Sequence, residues 1–286
     1  MKQFNNIQSQ LLSLSLASLT AFLLIGLFIV TITGINLLPL PSHILLKIFP
    51  IDILVGITIY LKTSIDFALF TGNLMTKFQG FKNQLAIEIG TAFGNGLGTL
   101  FVLLVWTFFK EIPLLLFCMI VLAALVLLGL AQESIENYFS TSPHLPEPFF
   151  SGIDIFRKKL KKITTFLAPL LRLLTPRAPT INASGTTIAS LFFFALTIPF
   201  VLGLDDFAGY IPLFSIIHIF GFCVGVILGH LLLTLSLFAF PNKTRQLVRF
   251  PLIQLFGSLI FTGLSLFGIF EAVRMITPFI ATVLQK

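Results

Sequence analysis

Seven runs of about 20 mostly apolar residues divide this chain of 286 residues, and each is long enough to cross the hydrocarbon layer of a bilayer as a helix. They are Leu11–Thr33, Ile51–Met75, Leu85–Phe109, Ile112–Ala131, Thr186–Ile217, Gly221–Phe240 and Pro251–Phe270. Inside lipid every backbone polar group must be satisfied within the protein, and runs this long satisfy theirs as helices. The expected fold class is an all-α polytopic membrane protein of about seven transmembrane helices. Only 10% of the residues are charged, against about a quarter in an ordinary soluble domain.

The first run is read as a membrane helix, not a cleaved signal. Met1–Gln10 is polar with only Lys2 positive, and the apolar stretch that follows exceeds a signal h-region. Cys118 and Cys223 both lie in apolar runs with no CxxC spacing, which excludes zinc-ribbon and thioredoxin-type chemistry. They read as small buried side chains.

Residues 132–185 form the one long polar segment. Its stretch Ile153–Arg177 sets Arg157, Lys158, Lys159, Lys161 and Lys162 beside Phe166, Leu167, Leu170 and Leu171. That pattern predicts an amphipathic helix in the headgroup region. Seven of the 18 Lys and Arg sit in this loop, next to membrane helices, so anionic lipid is the expected partner and nucleic acid is not. With seven spans, 13 of the 18 Lys and Arg fall on the side of the amino terminus and this loop, and four on the other. By the positive-inside rule that side is cytoplasmic, and the setting expected is the bacterial inner membrane. The sequons at Asn182 and Asn242 then face the cytoplasm and are discounted.

Two runs carry acids where lipid disfavours them. Asp66 lies two-thirds along Ile51–Met75, and Asp205 and Asp206 lie within Thr186–Ile217. An aspartate at the centre of a membrane helix costs roughly 2.5–3.5 kcal/mol on insertion scales and is by default a functional candidate. Laid over each other, Ser64–Leu74 and Leu204–Phe214 put Asp66 on Asp206 and Phe70 on Tyr210. Further along, Gly94–Leu100 pairs with Gly229–Leu235, setting Asn95 on His230 and Thr99 on Thr234, and Ile112–Phe117 pairs with Phe250–Leu255. The expected organisation is an N-terminal helix (1–50), a three-helix repeat (51–131), the basic loop (132–185) and a second repeat (186–286). Because each repeat holds three helices, the two are threaded in opposite directions, which places a transport site where they meet.

The acid motifs Tyr60–Phe70 and Gly203–Phe214 resemble those of the cadmium-resistance transporter family. That family belongs to the lysine-exporter superfamily of 3+3 helix transporters, with manganese exporters and TerC-like proteins. The resemblance implies an exporter in which Asp66 and Asp206, with Asp205, hold a divalent cation. Family members carry paired acids or Asp-Asn there, whereas here Phe67 and Phe207 follow the aspartates, leaving a thinner ligand set.

Carboxylates suit divalent cations and sodium, and they also carry protons. The structural alternative pairs Asp66 with Lys62, four residues earlier on the same helix face. Thr63, Ser64 and Thr71 offer neutral oxygens, although hydroxyls inside helices more often bond the backbone one turn back. Asn73, Asn95, Tyr210, His230 and Glu88 complete a secondary polar set, with Glu88 expected near the cytoplasmic end and partly solvated. His230 has the alternative of a hydrogen bond to another helix. His218 marks a helix end, and Asp52 reads as a helix start without further role. No HExxH, GxSxG or Walker A pattern occurs, so no enzyme, catalytic residue or cofactor is expected. The leading expectation is a divalent-cation exporter. The alternatives are an exporter of a small organic solute such as a basic amino acid, or a membrane scaffold. Membrane lipids and the transported ion or solute are the expected partners, with a homo-oligomer left open.

Overall fold

The computed structural model describes residues 7–39, 41, 43–140, 147–174, 187–202, 210–215 and 217–284, and these form ten α-helices and one 3-10 turn without a strand. The helices are α1 (Ile7–Asn36), α2 (Pro50–Thr63), α3 (Ile65–Lys77), α4 (Phe81–Phe109) and α5 (Pro113–Ser140). They continue with α6 (Glu147–Leu174), α7 (Ile188–Leu202), the 3-10 turn Ile211–Ser215, α8 (Ile219–Ala239), α9 (Pro241–Val248) and α10 (Pro251–Leu284). Five of them, α1, α4, α5, α8 and α10, are long and apolar enough to cross a membrane. The protein is an all-α polytopic membrane protein.

Among the described residues one of the seven expected spans, the second, differs in form. It is broken: α2 and α3 meet at Ser64 with a bend of 65°, and count as a sixth span only if the bent pair crosses as one. Ser64 leaves helical geometry at φ −79°, ψ 29°, and the neighbouring Thr63 hydroxyl bonds the Ile59 and Tyr60 carbonyls at 3.1 and 3.3 Å. Hydroxyls that bond back onto the preceding turn bend helices in this way. The helix is thus interrupted between Lys62 and Asp66, and the expected pairing of the two lies outside the described residues, since the Asp66 side chain is not among them. Of the fifth expected span the described residues include α7, 15 residues long and so about 22 Å, while residues 203–209 lie outside them.

Contacts divide the chain into two compact units. The first comprises Met1–Val102, Arg177–Gly203 and Ile217–Gln246, and the second Leu103–Pro176, Leu204–Ile216 and Leu247–Lys286. In the first, α2 lies along α8 with small residues at the seam. A Cβ on Gly56 would collide with the Phe222 carbonyl oxygen, and one on Gly225 with that of Ile53. One turn on, Gly229 faces Ile57 and Tyr60. Paired positions rise together, so the helices run parallel. On the other face of this unit α4 lies along α7 by the same device. A Cβ on Gly90 would come within 2.6 Å of the Phe192 carbonyl oxygen, and one on Gly94 would strike that of Leu196. These helices are also parallel. Small residues four apart let backbones approach closely in lipid, where packing contacts replace the hydrophobic drive.

The second unit is built on an antiparallel pair. Ser258 Oγ donates to the Ala131 carbonyl at 2.8 Å and Ser265 Oγ to that of Ala124 at 2.7 Å, joining α10 to α5 two turns apart. Against α5 lies α6, with Leu160 buried among Leu127, Leu128, Ala131 and Ile135, and Phe156 packed beside it. The Arg157 guanidinium sits 4.4 Å over the Phe139 ring and 4.0 Å from Glu136. The basic amphipathic helix thus exists, but one apolar face is covered by protein. Ile155, Ile163 and Phe166 remain exposed beside lysines on its outer face.

These pairings have the reciprocity of an inverted repeat. The first helix of each three-helix segment packs on the second helix of the other, and the third helices pack on each other. The register agrees as well. The match that sets Gly94 on Gly229, taken with the one that sets Asp66 on Asp206 and so Ile57 and Tyr60 on residues 197 and 200, carries the contact of Gly229 with Ile57 and Tyr60 onto Gly94 with 197 and 200, and Gly94 meets Leu196 and Pro199, one residue away.

Candidate functional site

Within the first unit a polar stripe runs down α4. Glu88, Thr91, Asn95 and Thr99 recur at helical spacing, and all four are buried. The face of α4 that holds Gly90 and Gly94 is taken up by α7. The stripe faces α1 and α8 across a narrow cleft whose lining includes Thr20, Glu88, Asn95, His230 and Thr234. About 10 Å³ of it admits the centre of a water molecule, room for about one water.

Each polar group in the cleft has a defined hold. Ser13 Oγ on α1 donates to Glu88 Oε2 at 2.7 Å, while Glu88 Oε1 is buried with no hydrogen-bond partner among the described residues. Glu88 is therefore not the partly solvated end residue its position suggested: it is 1% exposed because α1 covers it. His230 lies eleven residues into α8, about 16 Å along its axis. Its Nδ1 shares a hydrogen bond of 2.7 Å with the Tyr60 hydroxyl from α2, and its Nε2 has no partner among the described residues. The Phe67 ring on α3 stands 5.6 Å from the imidazole. Thr99 and Thr234 bond the carbonyls of Asn95 and His230, each at 2.8 Å. Equivalent residues of the two segments are thus anchored alike.

The structure brings together Glu88, Asn95 and His230 from the expected secondary set. The leading acids stand differently. Asp66 is the second residue of α3 and its side chain is outside the described residues, as are Asp205 and Asp206 entirely. Thr63 and Ser64 are buried at the helix break, and the Thr63 hydroxyl bonds the backbone. Thr71 is fully buried, with its hydroxyl unpartnered among the described residues, and Tyr210 is buried as well. Asn73 is exposed. No three His, Cys, Asp or Glu converge as a metal-ligand set among the described residues.

Sequence reasoning missed Tyr60, Ser13 and the pairing of Asp52. Asp52, read as a bare helix start, is buried in the first turn of α2 with its Oδ2 3.2 Å from His218 Nδ1. Their partners lie 75 to 170 residues away, beyond the reach of any local pattern. The stripe on α4, by contrast, is written at helical spacing in the chain itself.

No family model matches this chain, and no curated protein or solved structure is significantly similar to it.

Proposed function

We propose that this protein is a secondary transporter that exports a divalent metal cation. The observation that carries this reading is the reciprocal packing of the two oppositely threaded segments, α2 on α8 and α4 on α7. Transporters built on inverted repeats hold their cargo near the midplane, beside discontinuous helices whose N-termini favour anionic groups. The break at Ser64 supplies such a discontinuity, with Asp66 in the first turn of α3. A carboxylate there is favoured by the helix dipole and is a hard oxygen ligand for a divalent ion. Asp206, matched to Asp66 in the sequence, and Asp205 beside it are the further candidate carboxylates for the cation. Thr63, Ser64, Thr71, Asn73 and Tyr210 are the candidates for neutral oxygens. The resemblance of the acid motifs to cadmium-resistance transporters supports the same cargo class.

The orientation that goes with this reading places the amino terminus and residues 132–185 in the cytoplasm of a bacterial cell. Membrane lipids surround the spans.

The test is flux into proteoliposomes of Cd²⁺, Mn²⁺ and Zn²⁺ for the wild type, Asp66→Asn and Asp206→Asn. Wild-type flux of at least one ion, reduced tenfold or more by either substitution, is the expected result. Full retention of flux by both variants removes these acids from the mechanism. Absence of flux for every ion in the wild type returns the protein to the solute-exporter or scaffold reading.

A further inference from the structure

We infer that Glu88 and His230 form a proton-binding site in the cleft between α1, α4 and α8. As the coupling site of an exporter this rests on the transport reading; as a proton site it stands alone.

Three observations carry it. First, two titratable side chains from different helices line one cleft, and both are more than nine-tenths buried. Each retains a polar atom without a hydrogen-bond partner among the described residues, Glu88 Oε1 and His230 Nε2. A protonated carboxyl carries an O–H donor that a carboxylate lacks, so the second oxygen of Glu88 can be satisfied by donating into the cleft. Second, the free space matches about one water. A water in that space can take or give a proton, whereas a divalent cation with six or more oxygen ligands does not fit. Third, the site is braced. Ser13 fixes one carboxyl oxygen, Tyr60 fixes one ring nitrogen, and threonines hold the backbone at His230 and Asn95.

The charged and titratable surroundings are few. From α1 the cleft receives Ser13 and Thr20, and from α3 the Phe67 ring reaches His230; neither helix adds an ionisable group to the lining. The Tyr60 phenol comes from α2, while Lys62, also buried on α2, is not among the lining residues. Proton transfer here is simple exchange. The carboxyl and the imidazole each exchange a proton with water in the cleft.

The direct test is infrared difference spectroscopy of the full chain in nanodiscs across a pH series. A protonated-carboxyl band that titrates in the wild type should vanish in Glu88→Gln and change frequency in Ser13→Ala, which removes its hydrogen-bond donor. Tyr60→Phe should alter the imidazole bands that His230→Gln eliminates. Size-exclusion profiles identical to wild type establish that each variant is folded. Should Glu88→Gln misfold, the frequency change in Ser13→Ala carries the test. A wild-type spectrum without a titrating carboxyl band, or a titrating band unmoved in both Glu88→Gln and Ser13→Ala, overturns the proposal.

A second arm addresses coupling, using vesicles with a trapped pH dye and external Cd²⁺ or Mn²⁺. Metal-linked proton movement should fall at least tenfold in Glu88→Gln. Metal movement without proton movement in the wild type overturns the coupling role and leaves the exporter intact. A titrating Glu88 band with no metal movement overturns the exporter reading and leaves the proton site standing.

Discussion

Asp52 and His218 meet with Oδ2 and Nδ1 3.2 Å apart, at the points where the parallel helices α2 and α8 begin. The aspartate is buried in the first turn of its helix, against Gly221, while the histidine caps α8 from a half-exposed position and tilts its ring against Phe49. One contact thus fixes the axial register of two helices far apart in the chain. Asp52→Asn and His218→Gln, combined in a double-mutant cycle, should show a coupling of about 0.5–1 kcal/mol in detergent unfolding, the range for a partly exposed pair. Strict additivity of the two substitutions would show that the contact does not hold the register.

The glycine seams make a sharper prediction. Gly225→Val and Gly94→Val each place side-chain atoms where a carbonyl oxygen already sits, and should destabilise the fold by about 1–3 kcal/mol or more, as overpacking does. Gly26→Val and Gly263→Val are the controls, since nothing lies within 4 Å of a Cβ at either position. Thermal unfolding midpoints that drop equally in all four variants would contradict the reciprocal seams.

In the second unit, Ser258→Ala and Ser265→Ala each remove a buried hydrogen bond from α10 to α5. Polar contacts between membrane helices average about 0.6 kcal/mol and reach about 1.7, so each change should cost a fraction of a kcal/mol to just over one. Steric trapping or denaturant titration in micelles measures it. Substitution at Ser236, whose hydroxyl bonds its own helix on an exposed surface, should be neutral by comparison.

The basic helix α6 should respond to acid. The ammonium of Lys158 donates to Asp154 at 2.7 Å, and this bond holds the Asp154 carboxyl below its usual range. A lowered pKa means that the contribution is complete above the unfolded value of about 3.9 and is lost as pH falls through the folded one. Hydrogen exchange of the backbone around residues 151–158 should therefore accelerate below about pH 4, and Asp154→Asn should show the faster exchange already at neutral pH. Exchange that is indifferent to both would remove this ion pair from the stability of α6.

What could be read from the chain follows the reach of each signal. Helix class came from the apolar runs, because lipid leaves no alternative to internal hydrogen bonding, whereas the number of spans did not: seven runs were expected to cross, and five helices, or six with the bent pair, are long and apolar enough among the described residues. Glu88 and Asn95 could be named as polar candidates from the chain, since each stands within an apolar run, but not that they form one buried stripe. The break at Ser64 was not legible. An apolar run reports that a segment enters lipid, but a local competition for carbonyls by Thr63 decides whether its axis stays straight. Nor did the loop sequence indicate that α6 spends one apolar face on α5, because amphipathicity does not name the surface that receives it. The burial of Glu88 depended on α1, a helix outside both repeats.

The glycine seams also bear on how this molecule comes to exist. Neither three-helix segment keeps its closest neighbours within itself: α2 finds its groove on α8, α7 on α4, and α5 on α10. A ribosome that has released only the first segment has made helices whose notched faces have nothing to fit. Assembly must wait for the later segment to insert and interleave, so the connection through residues 132–185 tethers two halves that are unfinished apart.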